Sequence, residues 1–278
     1  MAGVSALNGT VQSHYGRIGL GDTVLAALRE AGKDLHRLTV EDLAPVDAFH
    51  IRGRAATREL ARAAGLDPTA HVLDVGGGIG GTARCLASEY GCPVTAIDLA
   101  LEYCRAAAML TARTGLDERI TFSQADALAL PFPDASFDVA WTEHVAMNIA
   151  DKGRLYREMY RVLKPGGRLA IYDILAGPNT PVVLPAPWAR TAESSFLVTP
   201  EELRCLLVDA RFRISSWSDT TDVARAWFAR LADNLGKSGP ARLGIHVLMG
   251  PDFAAMAQNQ RRNLDENRIA LAQIVATK

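Results

Sequence analysis

A glycine-rich turn is the part of the sequence whose residue types point most clearly to chemistry. Residues 71–81 read HVLDVGGGIGG, so an apolar run that contains Asp74 passes directly into the turn. Glycine adopts positive φ and lets a ligand approach the backbone closely. A helical pattern begins near Thr82, and a helix start presents unpaired N–H groups that attract a carboxylate or a phosphate. The stretch therefore predicts a strand, a binding turn and a helix N-terminus.

Two classes of cofactor fit this turn. Gly76, Gly78 and Gly81 satisfy the G-x-G-x-x-G fingerprint of a dinucleotide site. An acid followed by glycines at alternate positions is the pattern of an S-adenosylmethionine (SAM) site, and it is satisfied equally well by Asp74, Gly76, Gly78 and Gly80. The turn alone does not separate the two classes.

Acidic residues near the ends of three predicted strands favour one class. Asp74, Asp98 and Asp126 each lie at or just after the end of an apolar run. The carboxyl ends of parallel strands share one rim, so we expect these carboxylates to converge on one crevice. An adenosyl ligand there would offer its ribose diol to Asp98 and its adenine amino group to Asp126. NAD would use Asp98 equally well but does not demand Asp126, so SAM is favoured over an NAD(P)-dependent oxidoreductase.

Three residues are candidates for proton transfer. His144 follows the fourth predicted strand at the same rim, and an ordinary histidine titrates near neutrality. Glu143 precedes it, and His50 lies before the first strand in a segment that could fold over the cofactor. Each of the three could instead be a hydrogen-bonded structural residue. If the acceptor must lose a proton, His144 is the first candidate to take it, followed by Glu143 and His50.

Aromatic residues indicate where an acceptor could bind. Trp188 lies in the proline-rich segment 176–198, and Phe196 follows it. Either ring could wall an apolar pocket or stack on a cationic amine. Tyr15, in an irregular N-terminal arm, could cover a sulfonium. The His, Cys, Asp and Glu residues show no metal-ligand spacing, so we expect no metal site.

Short apolar runs that alternate with helical patterns predict an α/β fold with a parallel sheet covered on both faces. The predicted strands are 72–75, 93–97, 120–124, 137–141, 168–174, 212–217 and 268–277. Residues 1–65 are expected to form an N-terminal helical arm or lid, and residues 66–278 the SAM-binding domain. That domain would carry cap insertions at about 176–198 and 221–266, over the carboxyl ends of the strands.

The composition bounds the class of protein. The chain has 278 residues and a formal net charge of −1, so a nucleic-acid partner is not expected. No apolar run is long enough for a membrane span, and the N-terminus lacks the plan of a signal peptide. The four cysteines lack C-x-x-C spacing, which predicts free thiols in a reducing cytoplasm.

Four segments together resemble the class I SAM-dependent methyltransferases. They are residues 72–81, Asp98, residues 126–138 and the sequence RVLKPGG at 161–167, in that family's order and spacing. The chain looks most similar to the small-molecule branch that includes quinone-biosynthesis and sarcosine/dimethylglycine methyltransferases. The resemblance implies a Rossmann-like, seven-stranded, mostly parallel sheet with an antiparallel last strand.

The resemblance also implies roles for individual residues. The glycines of the turn would pass close to the methionine part of SAM, and Asp74 would order the turn or reach the ammonium through water. Asp98 would bind the ribose, Asp126 the adenine, and residues after the fourth strand would lie beside the methyl donor. The implied cofactor-binding residues are Asp74, Gly76, Gly77, Gly78, Gly80, Asp98, Leu99, Asp126, Ala127, Thr142 and Tyr15.

The expected reaction is in-line transfer of the sulfonium methyl group to a nitrogen, oxygen or carbon nucleophile of a small molecule. The protein's main contribution would be alignment of the reactants and exclusion of water. A protein that binds SAM without methyl transfer, as a cyclase or a binding module, is the alternative. The sequence leaves the acceptor atom and the oligomeric state open.

Overall fold

The computed structural model describes residues 19–238 and 243–278. Its strands, numbered β1 to β7 in chain order, are Val72–Val75, Val94–Asp98, Ile120–Gln124, Phe137–Glu143, Leu163–Ala176, Arg213–Asp219 and Ile269–Thr277. They form one sheet in the order β3-β2-β1-β4-β5-β7-β6. The last strand, β7, lies between β5 and β6 and runs antiparallel to both. The β1, β2, β3, β4 and β5 pairings are parallel, so the predicted Rossmann-like sheet with an antiparallel last strand is confirmed.

Helices cover both faces of the sheet. Numbered α1 to α10, they are Leu20–Glu30, Val40–Asp47, Arg54–Ala63, Gly81–Tyr90, Leu101–Arg113, Lys152–Val162, Pro200–Asp209, Thr221–Ser238, His246–Met249 and Phe253–Asp265. On one face Leu60 of α3 and Leu86 of α4 belong to the core, and on the other Leu155 of α6 and Leu207 of α7 do. Each helix buries one apolar stripe against a face of the sheet. The faces are therefore covered, and the carboxyl ends of the strands form the rim where a ligand can bind.

The N-terminal helices build a third apolar cluster beside the sheet. Val24 of α1 and Leu43 of α2 pack with Leu110 of α5 and are fully buried. Helix α2 was not expected, because Pro45 reads as a stop; its start is stabilised by a capping box between Thr39 and Asp42. The helix places its last residue, Asp47, against the glycine turn.

Strand β4 is longer than the sequence predicts. It continues two residues beyond Trp141, because Glu143 pairs with Tyr172 of β5. Thr142 and Glu143 are therefore strand residues, 1% and 9% exposed, and His144 is the first residue beyond the strand.

Among the described residues, no helix combines the length and the apolar character that crossing a membrane requires.

Candidate active site

A large cleft opens over the carboxyl ends of β1, β2 and β4. One wall is formed by the glycine turn together with the ends of β2 and β3. The opposite wall is formed by the segment after β4 and by residues 176–198, which we call the cover segment. Predicted site residues that line the cleft are Gly76, Gly77, Gly78, Asp98, Leu99, Asp126, Ala127, Glu143, His144, His50, Trp188 and Phe196.

The turn depends on glycine at defined positions. Gly76 has φ +78°, and a Cβ built on it would approach the Val145 side chain to 2.4 Å. Gly78 has φ +55° with no atom within 4 Å of a built Cβ, so its backbone faces open cleft. Gly80, at φ +86°, lies behind the wall, where a Cβ would be 2.8 Å from Arg84 Nη1. A ligand can therefore approach the turn at Gly78 while Gly80 serves the packing of α4.

Asp98 connects the turn to the end of β2. Its Oδ2 accepts from the Gly78 N–H at 3.0 Å, and its Oδ1 accepts from the Ala100 N–H at 2.8 Å. Burial raises the pKa of Asp98, and the backbone N–H groups of Ala100, Gly78 and Leu99 oppose that rise. The carboxylate is thus held rigidly at the cleft wall by donors from two elements.

Asp126 lies on the same wall as Asp98. The Ala125 N–H donates to the Asp98 carbonyl at 3.0 Å, which keeps the ends of β2 and β3 together. The Asp126 Oδ1 accepts from the Leu128 N–H at 2.8 Å and so shapes the loop that follows β3. Both acids line one cleft, which is the arrangement that an adenosyl ligand requires.

Other residues expected at the cofactor lie elsewhere. Asp74 is 2% exposed beneath the turn and does not line the cleft. Burial, with the nearby Glu143 and Asp98 carboxylates, raises the pKa of Asp74 well above its ordinary value. Thr142 is buried within β4. Tyr15 falls outside the described residues.

A hydrogen-bond chain joins His50 to Glu143. His50 Nε2 lies 2.9 Å from the Gly53 carbonyl and 3.0 Å from Thr57 Oγ1. Thr57 donates its hydroxyl to Glu143 Oε2 at 3.0 Å, and Thr82 donates to the same oxygen at 2.6 Å. Because a carbonyl only accepts, Nε2 carries the proton and Nδ1 is the basic nitrogen of the neutral ring.

His144 occupies the same cleft but a different environment. Its φ of +54° directs the chain sharply away from β4, and its N–H donates to the Tyr172 carbonyl at 2.8 Å. Its ring centroid lies 6.1 Å from that of His50. Burial, together with the His50 charge, lowers the pKa of His144 well below its ordinary value. His144 is therefore neutral at neutral pH.

The cover segment is fixed to the turn that follows β4. Asn148 donates from Nδ2 to the Trp188 and Ser194 carbonyls, at 2.6 and 3.1 Å. The Phe196 N–H donates to the Met147 carbonyl at 2.8 Å. Trp188 is only 1% exposed, so its ring forms a fixed wall of the cleft. Apolar residues dominate this end, which is lined by Met147, Ile149, Ile174, Pro187, Trp188 and Phe196.

A buried cation supports the same wall from behind. Lys152, 5% exposed, donates to the Ile149 carbonyl at 2.8 Å and to the Phe196 carbonyl. Burial lowers the pKa of Lys152 to about 8, against the opposing effect of Asp173. Asp173 accepts from the Ala146 N–H at 3.1 Å, and burial raises its pKa to about 7. These contacts hold the floor and the cover of the apolar end together.

Several cleft residues were not predicted from the sequence, among them Asp47 and Gln260. Asp47 was hidden because the helix that carries it was not predicted, and Gln260 comes from α10 at no recognisable motif. Asp47 Oδ1 and Glu143 Oε1 are buried and have no hydrogen-bond partner among the described residues. Unpaired carboxylate oxygens next to an open glycine turn fit a ligand with positively charged donors, as SAM has. In the part of the chain that the structure describes, no cluster of His, Cys, Asp or Glu is arranged to hold a metal ion.

Known proteins are similar to this chain in sequence and in fold. A family model described as a methyltransferase domain matches residues 73–171. The 27-O-demethylrifamycin SV methyltransferase of Amycolatopsis mediterranei is 33% identical over 186 residues, which are 64% of this chain and 68% of that protein. The chain belongs to the SAM-dependent methyltransferases. Its cofactor is SAM, and solved structures of this fold hold SAM or S-adenosylhomocysteine.

Two further comparisons show the range of this methyltransferase's relatives. It is 44% identical over 108 residues to the 2-methyl-6-phytyl-1,4-hydroquinone methyltransferase of Synechocystis. That match covers 39% of this chain and spans only about a third, 33%, of the relative's length. The structure of the cyclase SpnF superposes with a TM-score of 0.67 at 25% identity, covering 88% of this chain and 99% of that one.

Proposed function

We propose that this methyltransferase transfers the methyl group of SAM to a hydroxyl group of an apolar small molecule, and that His50 takes the hydroxyl proton. The hydrogen-bond chain from His50 through Thr57 to Glu143, at the wall of the cleft, is the observation that carries the proposal. Relatives that align over at least two thirds of their own length at 30% identity or more include two named as O-methyltransferases.

SAM and the acceptor would occupy opposite ends of the cleft. Asp98 would hold the ribose hydroxyls, and Asp126 with the backbone at Ala127 the adenine, since all three line the wall beyond the turn. The backbone at Gly78 would lie against the methionine part, where no Cβ blocks the approach. The acceptor would then occupy the apolar end, between Trp188 and His144.

When bound, SAM supplies a methyl group on a positively charged sulfur. The acceptor oxygen bonds to the methyl carbon in line with the breaking carbon–sulfur bond, and S-adenosylhomocysteine is left. The hydroxyl proton passes to Nδ1 of His50, so the positive charge lost at sulfur reappears on the imidazolium. Glu143 stabilises that charge, because its Oε2 lies 3.7 Å from His50 Nε2 and is linked to it through Thr57. The fixed Trp188 wall excludes water from the reacting groups.

His50 is better placed than His144 to take the hydroxyl proton, because only His50 is linked to Glu143. The two rings are close enough for their positive charges to repel, so the site holds one proton more readily than two. Glu143 is linked to His50, whereas the His144 Nε2 is buried and finds no partner within the described ranges. His144 therefore acts as a neutral wall residue that can donate or accept one hydrogen bond to the acceptor.

The first test is a methylation assay with a panel of apolar phenols and enols, which detects S-adenosylhomocysteine and O-methyl product by mass spectrometry. His50→Gln should lower turnover by about 10²- to 10⁴-fold, the usual contribution of a positioned base. Its affinity for S-adenosylhomocysteine should stay within about twofold. His36→Gln is the matched control, because His36 is exposed on a loop outside the cleft, and it should retain full turnover.

The same assay separates the competing functions. Methyl transfer to nitrogen or carbon would contradict the hydroxyl assignment, and full turnover of His50→Gln would contradict the role of His50. SAM-binding without transfer is the second candidate, favoured by the likeness to the cyclase SpnF over 88% of this chain. Under that function the protein would bind S-adenosylhomocysteine tightly and release none of it from SAM with any acceptor.

A further inference from the structure

Asp47 lies where the N-terminal helices meet the glycine turn. It is the last residue of α2, and its carbonyl oxygen would be 2.0 Å from a Cβ built on Gly81, the first residue of α4. Its side chain is 1% exposed and lines the cleft beside Gly77, Gly78 and Thr82. A negative charge is thereby brought next to the end of the cleft that faces the turn.

A buried arginine fixes one of the two carboxylate oxygens. Arg84 donates from Nη2 to Asp47 Oδ2 at 3.0 Å and from Nη1 to Thr111 Oγ1 at 3.0 Å. Arg84 is 0% exposed. Burial lowers the pKa of Arg84, and the charge and hydrogen bond of Asp47 oppose that effect. The pair holds Asp47 in one orientation.

The other oxygen of Asp47 has no hydrogen-bond partner among the described residues. This atom is Oδ1, and it is buried. A buried carboxylate oxygen without a donor is costly, and the cost is removed when a charged donor arrives. A ligand carboxylate would be repelled from this position, whereas an ammonium would be attracted.

We propose that Asp47 binds the ammonium group of the methionine part of SAM, with Arg84 as the positioning residue that holds the carboxylate toward the cleft. The assignment depends on SAM binding at the turn and does not depend on the hydroxyl acceptor or on His50. Glu143 also has an unpartnered oxygen, but it ends β4, and its other oxygen accepts from Thr57 and Thr82 in the hydrogen-bond chain to His50. The N-terminal helices are thus part of the cofactor site.

Calorimetry with two ligands tests this role without any acceptor. S-adenosylhomocysteine carries the ammonium, and 5′-methylthioadenosine lacks the whole amino-acid part. Asp47→Asn should weaken S-adenosylhomocysteine about 10- to 100-fold, the usual effect of losing a charged hydrogen-bond partner. Affinity for 5′-methylthioadenosine should stay within about twofold, which serves as an internal control for folding of the adenosine end.

A double variant separates ligand binding from pairing with Arg84. Asp47→Asn combined with Arg84→Met removes both buried charges, which protects the fold if the single variant leaves Arg84 unpaired. The selective loss of S-adenosylhomocysteine affinity should persist in the double variant. An unchanged ratio of the two affinities in Asp47→Asn, or its restoration in the double variant, would overturn the proposal and leave Asp47 as a structural partner of Arg84.

Discussion

Replacing Asp98 with asparagine tests how the cleft holds the adenosine part of SAM. The carboxylate uses Oδ2 for the Gly78 N–H and Oδ1 for the Ala100 N–H, so each oxygen has a backbone donor. Asparagine offers one oxygen and one NH₂ group, and the NH₂ group cannot accept from either donor. The variant therefore leaves one backbone N–H unsatisfied and also removes the charge that would face the ribose.

The two losses appear in different measurements. A charged hydrogen bond to the ribose contributes about 1.5 to 3 kcal/mol, which corresponds to about 10- to 150-fold weaker binding of S-adenosylhomocysteine. The unsatisfied N–H near the turn costs about 1 to 3 kcal/mol of folding free energy, a fall in Tm of several degrees for a chain of this size. Calorimetry measures the first loss, and thermal unfolding of the ligand-free protein measures the second.

Asp67→Asn is the matched control for this experiment. Asp67 Oδ1 also accepts from a backbone N–H, that of Thr69 at 2.9 Å, but it precedes β1 and lies outside the cleft. The control should lower Tm slightly and leave ligand affinity unchanged. If Asp98→Asn lowers Tm but binds S-adenosylhomocysteine within about twofold of the wild type, Asp98 only orders the turn and the assignment to ribose is wrong.

Three further predictions follow from packing and charge. Gly81→Ala should lower the free energy of unfolding by about 1 to 3 kcal/mol, because the new Cβ would meet the Asp47 carbonyl oxygen. Gly153→Ala is the control: this glycine lies in a helix beside the flexible side chain of Arg157, and its replacement should be neutral or stabilising. The pKa of His144 is lower in the folded protein than its ordinary value of 6.5. The resulting contribution of His144 to the free energy of unfolding is therefore complete above pH 6.5 and is lost as the pH falls below 6.5. His144→Asn, which tolerates positive φ, should flatten that part of the profile of Tm against pH; an identical profile would contradict the burial of His144. Lys152→Met removes two hydrogen bonds to backbone carbonyls at the apolar end of the cleft. The variant should have a higher KM for the acceptor and an unchanged affinity for S-adenosylhomocysteine. An unchanged KM would show that these hydrogen bonds do not shape the acceptor site.

Short-range sequence patterns were sufficient to predict most elements of the fold. Strands β1 and β3 have the predicted bounds, because a short apolar run is visible within a few residues. Helix α2 was missed because Pro45 falls inside it, and tertiary packing against α4 outweighs that local signal. The end of β4 was misplaced because two polar residues follow Trp141, and only pairing with β5 shows that they continue the strand.

The site was less visible than the fold. Asp98 and Asp126 reach one wall because topology alone brings parallel strand ends together. Asp74 looked equivalent but lies under the turn, and the direction of its side chain depends on packing that the sequence does not show. The pairing of Asp47 with Arg84 spans 37 residues, and the link from Thr57 to Glu143 spans 86, so no local pattern could reveal either contact.

We expect one cleft to hold the adenosine part of SAM on its acidic wall and to direct the sulfur toward the apolar end. A crystal structure of the complex with S-adenosylhomocysteine tests this directly. In that complex we expect the ribose hydroxyls within hydrogen-bond distance of Asp98, the adenine beside Asp126, and the sulfur open toward His50, His144 and Trp188. Adenine lying against Trp188, or a ribose that makes no contact with Asp98, would contradict it.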